Sequence, residues 1–204
     1  GGPLSVVCSN IYLDKLDKEL EQRGLRFTRY ADDVLVFTKS EMAANRVMKS
    51  ICSWLERKLF LKVNATKTKV VRPTRSKYLG FTFLKNGGEW KVKPTNEKKK
   101  KLKKKLSEYL KRGKATARPL ADIIKRVNEI VRGWINYFRI GMMKQFMGEF
   151  GKWLRHKIRV IVMKQWKKPK AIYRKLSYLN WKNRNGFSQE DIYKVANSRL
   201  GWYR

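Results

Sequence analysis

The chain is poor in the residues that hold metals or staple small folds. It has only two cysteines, Cys8 and Cys52, and one histidine, His156. They form no ligand cluster, which argues against a zinc site and against a disulfide framework, and points to a reduced compartment. No apolar run approaches the roughly 20 residues that cross a bilayer, and no signal-peptide pattern opens the chain. Acid is scarce as well: 16 Asp and Glu stand against 50 Lys and Arg, a net charge of +34 over 204 residues. Charge of that size opposes compaction unless a polyanion neutralises it, so composition implies nucleic acid as partner. Hydrophobic residues nevertheless make up 42% and aromatics 12%, enough to build a core and too much for a disordered basic tail.

The character of the chain changes near Pro94. Residues 1–93 carry 19 basic and 9 acidic side chains, and residues 94–204 carry 31 and 7. The second part is therefore the stronger polyanion surface. Two domains are expected, 1–93 and 94–204, with an α+β class overall.

In the first part, Leu4 to Arg23 reads as a helix closed by Gly24. A hairpin follows, and Ser40 is placed to cap a helix running to about Phe60. Short strands are expected at Leu61–Asn64, Lys69–Arg72 and Tyr78–Leu84. Asn86-Gly87-Gly88 then turns the chain into a strand over Trp90–Lys93.

In the second part, Thr95 caps a helix through Arg112 with Leu102, Leu106, Tyr109 and Leu110 on its apolar face. Pro119 opens another, with Ile123, Ile124, Val127, Ile130, Val131, Trp134 and Phe138 inward. A third runs from about Met142 to Lys168 and is stopped by Pro169. Shorter helices are expected at Lys170–Leu179 and Gln189–Leu200, the latter with Ser188 and Asp191 as a capping box.

The motif with the most chemical content is Tyr30-Ala31-Asp32-Asp33. Apolar, β-prone residues flank it (Leu25 and Phe27 before, Val34 to Phe37 after), so a hairpin lifts two adjacent carboxylates to its tip. Asp-Asp between strands is by itself most often a plain turn. Two carboxylates held above a sheet can also clamp divalent metal on a transferring phosphoryl group. Asp14 and Asp17, three apart on a helix beside Lys18 and Glu21, read as a polar helix face and not as further ligands.

The order of short motifs resembles that of reverse transcriptases. Gly1-Gly2-Pro3-Leu4-Ser5 with Ser9-Asn-Ile-Tyr-Leu13 is similar to their fourth conserved block, and Tyr30–Asp33 to the fifth. Asn64-Ala-Thr-Lys-Thr-Lys69 resembles the sixth, and Tyr78-Leu-Gly-Phe81 the seventh. Arg132-Gly-Trp-Ile-Asn-Tyr-Phe138, Lys164-Gln-Trp-Lys-Lys-Pro169 and Gly201-Trp-Tyr-Arg204 resemble the thumb, or domain X, of group II intron-encoded maturases. Val6-Val-Cys8 departs from the family's more usual Pro-Leu-Leu, a change of packing and not of chemistry.

The resemblance implies a partial right-hand polymerase palm, antiparallel strands with packed helices, followed by an all-α thumb bundle. It implies Asp32 and Asp33 as catalytic metal ligands, with Mg²⁺ in a two-metal site completed by a residue outside this chain. Gly2, Pro3, Tyr30 and Ala31 would line the nucleotide, and Leu79, Gly80 and Phe81 would grip the primer. Lys67 would act at the triphosphate, with Lys69 as the competing lysine. Lys99, Lys100, Lys103, Lys104, Arg155, Lys157, Arg159, Lys164, Lys167 and Lys168 are the candidate RNA contacts. Trp134 and Trp153, at helical spacing, read as core.

Partners would be group II intron RNA, an RNA template with a DNA primer, and dNTPs, with no membrane and a homodimer left open. The bacterial cytoplasm is the expected location, an organelle the alternative. Because the chain starts at Gly1, inside a motif, it is expected to be a piece of a longer protein. A non-catalytic RNA-binding maturase is the alternative function, and a retron or CRISPR-associated reverse transcriptase a further one.

Overall fold

A computed structural model describes residues 3–183. They form mixed helix and strand and divide into two compact units, the first ending at Val92 and the second beginning at Lys93. The expected helix over Gln189–Leu200, its capping box, Gly2 and Trp202 lie outside the described residues.

The first unit starts with α1 (Pro3–Gln22), followed by β1 (Arg26–Tyr30) and β2 (Asp33–Phe37). Leu13, Leu16 and Leu20 recur on one face of α1 and are buried with Leu59 from α2 (Glu41–Leu59). Phe27 and Val36 of the hairpin, and Trp54 and Leu55 of α2, close over them. Gly24 ends α1 with φ +63°, and Leu25 N–H donates to the Leu20 carbonyl at 3.0 Å, the six-residue closure that a left-handed glycine allows. Ser40 caps α2, its hydroxyl accepting from Ala43 N–H at 3.2 Å. The Tyr12 hydroxyl donates to the Leu59 carbonyl at 2.6 Å and ties the two helices together.

Beyond α2 the outcome differs from the expectation. Residues 61–64 and 69–72 are not strands. A strand persists only where another supplies its hydrogen bonds. Among the described residues the sheets are two separate hairpins, β1–β2 and β3–β4, so these segments have no partner. Asn64 instead organises a turn: its side-chain oxygen accepts from Thr66 N–H at 3.0 Å and Lys67 N–H at 3.2 Å. The third expected strand begins later, as β3 (Phe81–Asn86), because Tyr78-Leu79-Gly80-Phe81 is itself a tight turn. Leu79 and Gly80 both have positive φ, 50° and 83°, and Tyr78 and Phe81 exchange two backbone hydrogen bonds across it. The Gly87-Gly88 turn, also positive in φ at both residues, leads to β4 (Glu89–Pro94) as its composition requires.

The second unit is helical: α3 (Asn96–Tyr109), α4 (Arg112–Ala115), α5 (Leu120–Phe138), α6 (Lys144–Gln165) and α7 (Pro169–Asn183). Its core joins Leu102, Leu106 and Leu110 to Ile123, Val127, Phe150 and Ile161, with Trp134 and Trp153 packed against it. The buried Thr95 caps α3. Two helix ends were misjudged. The α3 helix stops at Tyr109, and residues 112–115 form a separate single turn that buries Ala115. The α6 helix stops at Gln165, because Lys167 turns left-handed at φ 59°. Pro169 therefore begins α7, where its missing N–H costs nothing.

Candidate active site and nucleic-acid surface

Tyr30 pairs with Asp33 across the β1–β2 ladder, leaving Ala31 and Asp32 as a two-residue turn. Ala31 has φ 53°, in the positive region that favours glycine, and Asp32 does not share that sign. Glycine is the usual residue at such a position, and alanine there costs about 1–2 kcal/mol. Strain of this kind persists where surrounding structure imposes it.

The surrounding structure is Arg29. Its guanidinium donates to both carboxylate oxygens of Asp17, at 2.8 and 2.5 Å, and to the Asn10 side-chain oxygen at 2.9 Å. It also donates to the Ala31 carbonyl at 3.0 Å. One side chain thus fastens the tip of the hairpin to α1. The Asp17 hydrogen bond raises the Arg29 pKa, burial opposes it, and Asp14 and Tyr78 add smaller contributions from nearby. Asp17 is a residue that sequence reading missed: its spacing from Asp14 suggested a solvated face, and its partner lies twelve positions on, in β1.

The fork is well shielded, with the Arg29 and Asp17 side chains 11% and 25% exposed, so solvent screens it less than a surface pair. Asp17→Asn should lower stability by about 1–2 kcal/mol in denaturant titration, since hydrogen bonds to charged groups contribute about that much. Asp14→Asn should cost at most about 0.5 kcal/mol, because the Asp14–Lys18 pair is exposed. Equal costs for the two would show that Arg29 is not an anchor.

Asp32 and Asp33 are exposed and make no side-chain hydrogen bond or ion pair among the described residues. They are acceptor-only groups, suited to a hard cation. No group of three or more His, Cys, Asp and Glu able to hold a metal occurs among the described residues. The two acids therefore fit part of a magnesium site, with waters, phosphate oxygens or further carboxylates needed to fill octahedral coordination. Lys67 is exposed on the Asn64 turn and Lys69 is exposed after it, and neither bonds to the acids. The Tyr78–Phe81 turn shares with the acidic one a non-glycine first residue, Leu79, at positive φ, but its second residue, Gly80, is positive as well. Phe37 of β2 meets Phe83 of β3 edge to face, with centroids 6.0 Å apart, which joins the two hairpins.

In the second unit the α3 lysines do not form one surface. Lys99 lies over the Phe146 ring at 5.2 Å, and burial, with the Lys93 charge adding to it, holds its ammonium below the usual lysine range. Lys103 is half-buried, whereas Lys100 and Lys104 face solvent. Lys98, Lys101 and Lys105, part of the same lysine run over Lys98 to Lys105, are exposed too. Helical phase, already present in the sequence, could have separated these groups. Of the other candidates, Arg155, Arg159, Lys164, Lys167 and Lys168 are exposed and Lys157 is half-buried.

Residues 1–83, which contain the acidic turn, match the family described as reverse transcriptase (RNA-dependent DNA polymerase). That defines the class of the first unit. Residues 99–179 match the maturase-specific domain of group II introns. No curated protein sequence matches the chain significantly. Together the two matches are consistent with a partial group II intron reverse transcriptase/maturase.

Proposed function

We propose that the first unit is the distal palm and the second the thumb of an RNA-directed DNA polymerase that is also a splicing maturase. It binds group II intron RNA and, within a longer protein, copies that RNA from a DNA primer using dNTPs. The observation that carries the reading is the turn at Tyr30–Asp33: two unpartnered carboxylates on a strained tip that Arg29 fastens to α1. The maturase-specific match favours this family over a retron or CRISPR-associated enzyme.

Magnesium at such a site would activate the attacking primer oxygen and neutralise charge on the transferring phosphoryl group. Asp32 and Asp33 would hold it, together with a carboxylate outside the 204 residues. Arg29 and Asp17 position the turn without touching substrate. The Lys67 ammonium stabilises or protonates the leaving pyrophosphate, with Lys69 as the alternative. Gly2, Pro3, Tyr30 and Ala31 border the nucleotide, and the turn of Leu79, Gly80 and Phe81 holds the primer end.

The 204 residues by themselves should bind structured RNA yet incorporate no nucleotide in a primer-extension assay with magnesium, because part of the two-metal site lies elsewhere. Incorporation by the purified chain, free of contaminating polymerase, would overturn the division of the site. Failure to bind RNA would overturn the maturase reading.

A further inference from the structure

Between α3 and α5 runs an open groove of about 530 Å³, within the roughly 300–1,000 Å³ typical of ligand sites. Leu102, Ile130 and Phe138 form part of its apolar lining. One wall carries Lys98, Lys101 and Lys105, three and four residues apart, a row that climbs the helix by about 4.5 and then 6 Å. At the rim Arg126 is held by Glu129 at 2.8 Å, so the lysine row supplies the charge available to a ligand.

Two features of the α5 wall are unexplained by packing, and a third residue, Tyr137, keeps an exposed ring although it packs edge to face on Phe138, with ring centroids 4.7 Å apart. The Trp134 indole N–H is buried with no hydrogen-bond acceptor among the described residues, a state that costs free energy unless something fills it. Gly133 lies in mid-helix, where glycine is unfavourable, yet a Cβ added there would meet nothing within 4 Å. Packing does not demand a glycine; close approach of a ligand to the helix backbone would. Tyr137, one turn further on, is 55% exposed despite being aromatic. Gly133, Trp134 and Tyr137 all line the groove and all come from one sequence motif.

We infer that this groove takes an unpaired segment of RNA. The lysine row follows the phosphates, Tyr137 stacks on a base, and the Trp134 N–H donates to a base carbonyl or ribose hydroxyl approaching over Gly133. Unpaired nucleotides are the form of RNA whose base faces and edges are free for such contacts, and stacking on an aromatic side chain is tolerant of sequence. The inference rests on the RNA-binding reading above and adds which RNA is bound and where.

The test measures binding of the whole 204-residue chain, by fluorescence anisotropy, to an RNA hairpin with a single-stranded overhang and to the same hairpin blunt-ended. The chain should prefer the overhang. Gly133→Leu fills the groove and should weaken overhang binding about tenfold, the scale of one lost stacked base, with blunt-hairpin binding changed less than about twofold. Trp134→Phe keeps the ring and removes only the N–H, and should weaken overhang binding by about threefold to tenfold. It also decides the matter should Gly133→Leu unfold in a circular dichroism melt. Equal binding of the two hairpins by the unaltered chain, or overhang binding that Trp134→Phe leaves unchanged, overturns the groove while leaving RNA binding standing. Binding of neither hairpin overturns both.

Discussion

In a polymerase that contains these 204 residues, as proposed above, Asp32→Ala should reduce metal-dependent DNA synthesis by about 10³-fold. That is the upper end of the effect of removing one group that acts only in the transition state. Affinity for intron RNA should stay within about twofold, because the reading proposed above assigns that affinity to the basic helices of the second unit. The separation is expected from the structure. Asp32 is exposed, makes no bond among the described residues and sits at a turn whose backbone is set by Ala31 and Arg29. Its removal takes away an acceptor and leaves the fold alone. Asp32→Asn, which keeps size and shape, should be nearly as damaging as alanine. Synthesis near the unaltered rate in either variant would end the metal-ligand assignment. Loss of RNA binding in step with synthesis would show that the turn acts through folding.

Affinity of the 204-residue chain for structured RNA should fall by about 10³–10⁵-fold between about 50 and 200 mM salt, the range for six to ten phosphate contacts. Each neutralised phosphate releases condensed counterions, at a slope of about −0.7 to −0.9 per contact on a plot of log affinity against log salt. Four lysines of α3, Lys100, Lys101, Lys104 and Lys105, are all exposed. Their joint replacement by Gln keeps helix propensity and the buried Leu102 and Leu106, and should flatten the slope by roughly two to four units. The comparison is the same number of charges removed from the first unit, at Lys49, Arg57, Lys58 and Lys62, also exposed. If both quartets flatten the slope equally, net charge governs binding and the helical unit has no defined RNA surface.

Local signals read correctly were those whose physics is complete within a few residues. Ser40 and Thr95 cap helices because a side-chain oxygen reaches an orphan N–H in the first turn. Gly24 and the Gly87-Gly88 pair occupy positive φ because they lack a Cβ. Trp134 and Trp153 pack on the core because their helical spacing puts them on its face. Failures came where the deciding partner was distant or missing. The apolar residues of 61–64 and 69–72 have strand composition but no strand to pair with. The break between α6 and α7 came from a non-glycine residue, Lys167, in the left-handed region, which composition does not announce.

The sequence by itself determined the charge asymmetry, the change from mixed α and β patterning to helical patterning near Pro94, and the acidic pair between two β-prone runs. Charge counts and short-range periodicity do not depend on which surfaces later meet. Only the tertiary structure decided that Asp17 grips Arg29 and so holds the tip at Ala31, and that Lys99 lies on Phe146 while its neighbours face solvent. It alone brought Lys98, Lys101 and Lys105 opposite Gly133, Trp134 and Tyr137. These are contacts between residues twelve or more positions apart, and their energies come from burial and directed hydrogen bonds, which exist only once the chain has closed on itself.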